Sequence, residues 1–431
     1  MDNKVKEIYQ LFLAHPQVST DSRQIKPGSI FFALKGESFN GNRFAAKALD
    51  SGAAYAIVDE PEFAVNQSCI LVDDVLTTLQ ALACHHRQQY NIPVIGITGT
   101  NGKTTTKELV FQVLSKKYNT LATIGNLNNH IGVPLTLLNL TDTTDIAIIE
   151  MGANHPGEIA FLCNIALPGY GLITNIGKAH LEGFGSYEGV ISTKTELYRY
   201  LCKHNGSVFL NNEDNILNDH ATGMNTITYG HFPADIILEH LSANPFVMMD
   251  LRMSDASLMK VDSKLYGSYN AGNILAAACI GQYFDVSTGD IKSAIEAYQP
   301  GNNRSQIVKT SLNLLILDAY NANPSSMKAA IDSFGASDYP EKVVILGDML
   351  ELGTDSDHEH LEILQWINQY PFCKVYLVGP IFTRLNTRRE NTCFQDCLLA
   401  KMWLEHHKIE NATILIKGSR GIRLEKLVDV L

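Results

Sequence analysis

A glycine-rich stretch of the chain carries the residue types that bind phosphate groups. Residues 96–106 read Gly-Ile-Thr-Gly-Thr-Asn-Gly-Lys-Thr-Thr-Thr. Glycines let backbone N–H groups approach phosphate oxygens, a lysine neutralises the outer phosphates, and the hydroxyl that follows it can hold Mg²⁺. We therefore predict a nucleotide-phosphate loop, with Thr104 as a magnesium ligand, made of Gly99, Thr100, Asn101, Gly102, Lys103, Thr104 and Thr105.

The residues on either side of this loop predict the elements that position it. Residues 93–98 form a short apolar, β-branched run typical of a buried strand, and residues 107–114 have the pattern of a helix. A glycine-rich turn between a strand and a helix is the usual setting of a phosphate loop. The strict motif has glycine at position 97, where this chain has Ile97, so a plain turn with a solvated lysine is the alternative.

Two further predicted strands end at residues that could complete the site. The run 145–149 is followed by Glu150, and the run 171–175 ends at Asn175, shortly before His180. Since the carboxyl ends of parallel strands meet at the ligand-binding edge of a sheet, Glu150 is a candidate Mg²⁺ ligand. His180 could contact a metal ion or a substrate, although a lone histidine is more often structural.

Other positions are ambiguous from the residue pattern alone. Lys194 looks like a solvated helix lysine, and Asn273 either caps an alanine-rich helix or reads a base edge with its amide. Near the N-terminus, Arg23 and Lys35 either bind an anion or are ordinary loop residues.

Length, charge and cysteine usage restrict the class of protein. A chain of 431 residues has the length of about three domains, and a formal net charge of -11 argues against a nucleic-acid or anionic-membrane binding surface. The N-terminus lacks a signal-peptide pattern, no apolar run has the length of a membrane span, and the eight cysteines are scattered. We therefore expect a cytoplasmic protein with reduced thiols, no nucleic-acid partner and no membrane insertion.

Closely spaced histidines lie at residues 85–86, 358–360 and 406–407. None of these groups has the spacing of a helical zinc motif, so we interpret them as surface histidines.

Alternating strand and helix patterns predict an α/β protein of three domains. We place a small N-terminal α/β domain at residues 1–88, a central P-loop domain with a parallel sheet at 89–300, and a C-terminal Rossmann-like domain at 301–431. The last boundary lies where proline, glycine and asparagine break the pattern. In the C-terminal domain the predicted strands run into polar residues, among them Asp318 and Lys417, which predicts one functional edge.

Motifs along the whole chain resemble those of the Mur ligases, the ATP-dependent amide-forming enzymes of peptidoglycan assembly. Two positions depart from the family pattern: Tyr269 stands where histidine is common, and Leu317-Asp318 replaces a common acidic pair. Within the family, the motifs are most similar to members that join D-alanyl-D-alanine to UDP-N-acetylmuramoyl-tripeptide. The resemblance rests on the phosphate loop and on the stretches 123–129, 132–136, 150–159, 175–185, 318–324, 347–353 and 417–420.

The resemblance implies roles for individual residues. Lys194 matches a lysine that CO₂ carbamylates, which turns a cation into an anionic ligand for a second Mg²⁺. Glu150 and His180 match metal-site positions, and Lys103 and Asn175 match catalytic ones. The implied nucleotide contacts outside the loop are Asn273, Arg304 and Asp318. The implied substrate contacts are Ser22, Arg23, Lys35, Gly36, Asn126, Asn128, Asn129, Asn321, Asn323 and Arg420.

The implied reaction begins with transfer of the ATP γ-phosphate to the tripeptide carboxylate. The amine of D-alanyl-D-alanine then attacks the acyl phosphate, with ATP and Mg²⁺ as cofactors. We expect a monomer whose third domain closes over the site to keep water out. The alternatives are a third-residue-adding Mur ligase, a folylpolyglutamate-type synthetase, a P-loop phosphotransferase and a nucleotide-gated binding protein.

Overall fold

Three main sheets, formed one after another along the chain, organise the fold. The computed structural model describes residues 3–387 and 391–431. The sheets take their strands from residues 18–71, 94–266 and 306–417, and helices connect and cover them. The predicted α/β class with three domains is therefore confirmed, whereas the domain boundaries stay predictions.

The first unit is a sheet of short parallel strands with helices against it. Its elements are α1 (Asn3–Ala14), β1 (Val18–Ser19), β2 (Ile30–Phe32), β3 (Lys35–Gly36), β4 (Phe39–Asn40), α2 (Ala45–Asp50), β5 (Tyr55–Val58), β6 (Cys69–Leu71) and α3 (Val75–Arg87). The strands lie in the order β1-β2-β5-β6, and β3 pairs with β4 as a separate ribbon. Helix α3 begins where the Asp74 carboxylate accepts the N–H of Thr77 at 2.6 Å.

The central unit carries the predicted phosphate loop between its first strand and first helix. Its first elements are β7 (Val94–Thr98), α4 (Lys103–Leu114), β8 (Thr120–Ala122), α5 (Gly132–Leu137), β9 (Ile146–Glu150), α6 (Glu158–Ala166), β10 (Tyr170–Ile173), α7 (Leu181–Phe184), α8 (Tyr187–Lys194) and α9 (Glu196–Lys203). Then follow β11 (Ser207–Asn211), α10 (Asn215–His220), β12 (Asn225–Gly230), β13 (Ile236–Ala243), β14 (Phe246–Arg252), β15 (Leu258–Tyr266), α11 (Ala271–Tyr283) and α12 (Thr288–Ala297).

The central sheet has the strand order β15-β14-β13-β12-β11-β10-β7-β9-β8. From β8 to β13 neighbouring strands run parallel, as predicted, but β13, β14 and β15 pair antiparallel. The prediction of a parallel sheet is wrong at this edge. Strand β15 alternates exposed and buried residues, which is typical of an antiparallel strand with one solvated face.

The third unit is a second, smaller α/β sheet. Its elements are β16 (Gln306–Lys309), β17 (Leu314–Asp318), α13 (Pro324–Gly335), β18 (Lys342–Gly347), α14 (Ser356–Ile367), β19 (Lys374–Val378), α15 (Pro380–Leu385), β20 (Thr392–Phe394), α16 (Cys397–His406) and β21 (Thr413–Lys417). The strand order is β16-β17-β21-β18-β19-β20, and all neighbours are parallel except β16 and β17.

Three adjacent strands of the central sheet bring the predicted site together. Ile97 of β7 pairs with Glu150 of β9, and Thr98 pairs with Ile173 of β10. The phosphate loop, Glu150 and the residues after β10 therefore start from the same carboxyl edge, where ligands bind in open α/β sheets.

The surface interpretation of the histidines is wrong at two positions. His86 is 3% exposed, and its Nε2 lies 3.0 Å from the Leu140 carbonyl. His360 is fully buried, and its Nε2 accepts the N–H of Met349 at 3.0 Å. Both rings are held by backbone groups, which spacing rules for metal motifs do not detect. In the described part of the chain no helix is long and apolar enough to cross a membrane.

Candidate functional site

The phosphate loop joins β7 directly to the N-terminus of α4. The helix begins at Lys103, four residues before the start predicted from the sequence, with Gly102 as its N-cap in a left-handed conformation. The N-terminus of this 12-residue helix therefore faces the loop, where free N–H groups and the helix dipole attract anions.

Lys103 folds back over the loop from the first turn of α4. Its Nζ donates to the carbonyl of Gly99 at 2.8 Å and to that of Thr100 at 3.0 Å. Burial lowers the pKa of Lys103 to about 8, although the Glu150 carboxylate acts in the opposite direction. The ammonium thus lies at the loop, held by carbonyl groups that a phosphate oxygen can replace.

Glu150 is a buried carboxylate whose two oxygens differ in their hydrogen bonds. Its Oε1 accepts the Thr104 hydroxyl at 3.2 Å and the Asn128 amide at 2.7 Å. Its backbone N–H donates to the Thr123 hydroxyl at 2.9 Å. Among the described residues its Oε2 has no hydrogen-bond partner, although the side chain is 1% exposed. A hard cation between this oxygen and the Thr104 hydroxyl would satisfy the carboxylate, so these residues fit Mg²⁺.

This cation site is not a cage made only of protein side chains. No group of at least three His, Cys, Asp or Glu side chains in the part of the chain that the structure describes could hold a metal ion. Because Mg²⁺ usually keeps waters and binds substrate phosphates beside one or two protein ligands, the pair of Thr104 and Glu150 is sufficient.

The segment after β10, residues 174–180, lies against the phosphate loop, and we call it the bridging loop. The Asn175 side chain accepts the N–H of Asn101 and donates to its carbonyl, both at 3.0 Å. The Gly177 N–H donates to the Thr100 hydroxyl at 3.0 Å. Asn175 therefore holds the phosphate loop in shape.

His180 is the last residue of the bridging loop, and Lys194 lies beyond it. The His180 Nδ1 lies 2.5 Å from a carboxylate oxygen of Glu351, which comes from the third unit. Lys194 is 2% exposed, and its Nζ is 3.5 Å from the Ala153 carbonyl and 5.3 Å from the Phe184 ring. The interpretation of Lys194 as a solvated lysine is therefore wrong. Burial lowers the pKa of Lys194 well below its ordinary value.

Asn273 lies beside the phosphate loop in the first turn of α11. Its Oδ1 accepts the Thr106 hydroxyl at 2.9 Å, and its Nδ2 donates to Asn270 at 2.8 Å. A Cβ atom on Gly102 would lie 2.5 Å from the same Oδ1. The side chain thus positions α11 against the loop.

We expect Gly102→Ala to weaken ATP binding about tenfold or more and to lower thermal stability. Alanine at a φ of 79° costs about 1–2 kcal/mol of backbone strain, and its methyl group would also displace Asn273. Gly223→Ala is the matched control, because Gly223 has the same φ of 79° and no atom within 4 Å of the added Cβ. Calorimetric titration with ATP and thermal melts check this, and equal effects of the two substitutions would contradict it.

The third unit supplies a second group of side chains at the end of β17. Asp318 is fixed by the Lys417 ammonium at 2.7 Å and by the N–H of Ser305 at 3.1 Å. The Arg304 guanidinium stacks on the Tyr320 ring at 3.6 Å. A cation, a carboxylate and an aromatic ring of the third unit therefore face the phosphate loop of the central unit.

One side chain links the two halves of the site directly. Asn323 caps α13 by accepting the N–H of Ser326 at 2.9 Å, and its Nδ2 donates to the Asn101 side chain at 2.8 Å. Between these elements lies a cavity of about 940 Å³. The sequence-predicted residues that line it are Thr100, Asn101, Gly102, Lys103, Thr104, Thr105, Asn126, Asn128, Asn129, Glu150, Asn175, His180, Asn273, Arg304, Asp318, Asn321, Asn323 and Lys417.

The remaining predicted residues lie outside the cavity lining. Arg23 pairs with Asp21 at 2.7 Å, and Lys35 pairs with Asp59 at 2.9 Å, so nearby carboxylates neutralise both cations. The residues outside the lining are Ser22, Arg23, Lys35, Gly36, Gly99, Lys194 and Arg420. The first unit instead reaches the cavity through Leu76 and Gln80 of α3.

Several contributors were not found from the sequence. Thr123 anchors the backbone of Glu150, and the buried Lys107 donates to the Thr123 carbonyl at 2.7 Å. Asn128, predicted as a substrate contact, holds the Glu150 carboxylate. Thr123 and Asn128 lie in the motif stretch 123–129, whereas Lys107 lies in no motif stretch. Each of these contacts joins residues that are far apart in the chain.

Family models cover most of the chain. The model described as "Mur ligase family, catalytic domain" matches residues 16–87. "Mur ligase middle domain" matches residues 97–281, and "Mur ligase, glutamate ligase domain" matches residues 303–420.

Similar proteins match over nearly their full length. The UDP-N-acetylmuramoyl-tripeptide--D-alanyl-D-alanine ligase of Bacillus subtilis (strain 168) is 34% identical, over 99% of this chain and 97% of the relative. A crystal structure of MurF from Acinetobacter baumannii superposes with a TM-score of 0.87 at 30% identity, covering 97% of each chain. MurF from Thermotoga maritima in complex with ADP has a TM-score of 0.84 at 26% identity, covering 100% of this chain and 98% of its own. The likeness therefore extends over all three units.

Proposed function

Because the chain belongs to the Mur ligase family, we propose that it joins D-alanyl-D-alanine to UDP-N-acetylmuramoyl-tripeptide, with ATP converted to ADP and phosphate. The observation that carries the proposal is the cavity, in which the phosphate loop faces groups from the other two units. Such a cavity can hold a nucleotide and a second substrate together, as an ATP-dependent amide ligase requires. The relative from Bacillus subtilis, 34% identical over nearly the whole chain, supports the choice of substrates.

ATP binds in this proposal with its phosphates at the N-terminus of α4. Lys103 turns from the carbonyls of Gly99 and Thr100 toward the outer phosphates. Thr104 and Glu150 would hold Mg²⁺, which would supply positive charge to the phosphoryl group during its transfer. Asn273 and the Arg304–Tyr320 stack flank the nucleotide.

The tripeptide carboxylate receives the γ-phosphoryl group, because a free carboxylate is a poor acceptor for an amine in water. The amine of D-alanyl-D-alanine then attacks the acyl phosphate, and phosphate leaves. Water must be excluded in the meantime. The contact of Asn323 with Asn101 supports the exclusion of water by the third unit, because it lets this unit cover the phosphate loop.

We further propose that CO₂ carbamylates Lys194. The neutral amine adds to CO₂ and loses a proton, which gives an anionic carbamate that suits a second Mg²⁺ near His180. The support is the burial of the amine: in the described part of the chain, no carboxylate lies within ion-pair distance of its Nζ. A buried ammonium without an anion is costly, whereas a carbamate beside a cation is compensated.

The substrates also support the proposal of a cytoplasmic location, because ATP and a UDP-linked substrate are nucleotides of the cytoplasm. A monomer stays a proposal. Ser22, Arg23, Lys35 and Gly36 stay proposed contacts of the UDP-sugar substrate.

The coupled reaction tests the proposed function. We expect rapid phosphate release only when ATP, the UDP-tripeptide and D-alanyl-D-alanine are all present, with the UDP-pentapeptide appearing in equal amount by mass spectrometry. Omission of each substrate in turn is the control. ATP turnover that proceeds equally without the dipeptide would contradict the ligase assignment and favour a P-loop phosphotransferase.

A further inference from the structure

The bridging loop is held from two sides, by the phosphate loop and by the third unit. Asn175 and Gly177 bind the phosphate loop, as described above. From the opposite side, the Ser325 hydroxyl of α13 accepts the N–H of Lys178 at 3.0 Å. The bridging loop is therefore the segment through which the position of the third unit reaches the phosphate loop.

An ion pair strengthens the contact with the third unit. The Lys178 ammonium donates to the Glu359 carboxylate of α14 at 2.7 Å. The Lys178 side chain is 45% exposed, whereas that of Glu359 is 2% exposed. The hydrogen bond to Glu359, helped by the charges of Glu362 and Asp355, raises the pKa of Lys178.

Glu359 depends on Lys178 for compensation of its charge. Its second oxygen is buried and has no hydrogen-bond partner among the residues that the structure describes. A buried carboxylate without a cation is strongly unfavourable. The cation that compensates this carboxylate of the third unit therefore comes from the bridging loop.

We propose that Lys178 and Glu359 are positioning residues whose ion pair locks the third unit onto the bridging loop while the acyl phosphate exists. Neither side chain lines the cavity, so the pair acts through Asn175 and Gly177, which hold the phosphate loop. The inference rests on the proposed function, because it concerns protection of that reaction's intermediate from water.

A charge exchange tests the pair. We expect Lys178→Glu to lower kcat about tenfold, because two carboxylates then face each other across the contact. The ratio of ADP to amide formed should rise above its stoichiometric value, since a looser closure lets water reach the acyl phosphate. The double variant Lys178→Glu with Glu359→Lys should restore most of the kcat and return the ADP-to-amide ratio close to its stoichiometric value. A general loss of stability would lower ADP and amide together and leave their ratio unchanged.

An exposed ion pair that also uses a carboxylate of α14 is the control. Asp357 of α14 pairs with Arg384 of α15 at 2.5 Å, entirely within the third unit and exposed to solvent. Its charge exchange, Asp357→Arg with Arg384→Asp, should leave kcat and the ADP-to-amide ratio unchanged.

Glu359→Gln provides a second route if lysine at the buried position prevents folding. Lys178→Glu should then be less harmful in the Glu359→Gln background than alone, because the repulsion is removed. Wild-type kcat and ratio in Lys178→Glu, or equal losses in both backgrounds, would overturn the inference. Those outcomes differ from failure of the proposed function, in which the wild-type protein itself would form no amide.

Discussion

Replacing Lys103 with alanine is expected to lower the rate of phosphate release by about 10³-fold, because a positioned cation at a transferring phosphoryl group contributes that much. The structure places the Lys103 Nζ within 3.0 Å of two carbonyls of the phosphate loop, at the N-terminus of α4. No other lysine lies in residues 96–106. The helix N-terminus would still bind the nucleotide, so we expect the loss mainly in kcat.

Initial rates of phosphate release at saturating substrates measure this effect. Lys116→Ala is the control, since Lys116 is an exposed lysine just after the same helix. Thermal melts of both variants show whether the fold is kept. A Lys103→Ala protein with near wild-type kcat would remove Lys103 from the proposed mechanism.

Replacing Lys194 with alanine is expected to lower kcat about 100-fold, because the proposed carbamate would itself be a metal ligand, and loss of a group that merely supports such a ligand already costs about 10–100-fold. Lys194 lies at the C-terminal end of α8 and is 2% exposed, so its amine cannot serve as a solvated charge. If the active group is a carbamate, short carboxylic acids added to the Lys194→Ala protein should enter the vacated space and restore part of the activity.

Two controls separate a carbamate from a buried amine. Lys203→Ala changes an exposed lysine at the end of the neighbouring helix α9 and should retain full activity. In wild-type protein exposed to ¹³C-labelled CO₂, a carbamate resonance should appear that Lys194→Ala lacks. Full activity of Lys194→Ala, or the absence of this resonance, would contradict the carbamate proposal.

Chemistry that depends on neighbours in the chain could be predicted from the sequence. The phosphate loop needs glycines, a lysine and a threonine in one turn between a strand and a helix, and all of these are adjacent in the sequence. Strand ends were also predictable, because parallel strands deliver their last residues to a common edge. Glu150 and Asn175 were therefore placed correctly beside the loop.

The state of a side chain could not be predicted from the sequence where burial decides it. Lys194, His86 and His360 have polar residue types on segments without a strong pattern, so exposure was the natural expectation. In the structure other elements cover all three. Their surroundings come from residues far along the chain, and no local periodicity records such contacts.

By itself, the sequence determined the α/β class, the phosphate loop and the motifs that indicate the family, because these depend on residue types at fixed spacing. Only the tertiary structure decided how the three units share one cavity. It gave Glu150 a hydroxyl, an amide and one oxygen that has no hydrogen-bond partner among the described residues, and it placed Asn323 of the third unit on Asn101 of the loop. Contacts between distant segments depend on how whole sheets and helices pack, and packing is a property of the folded chain that spacing in the sequence does not specify.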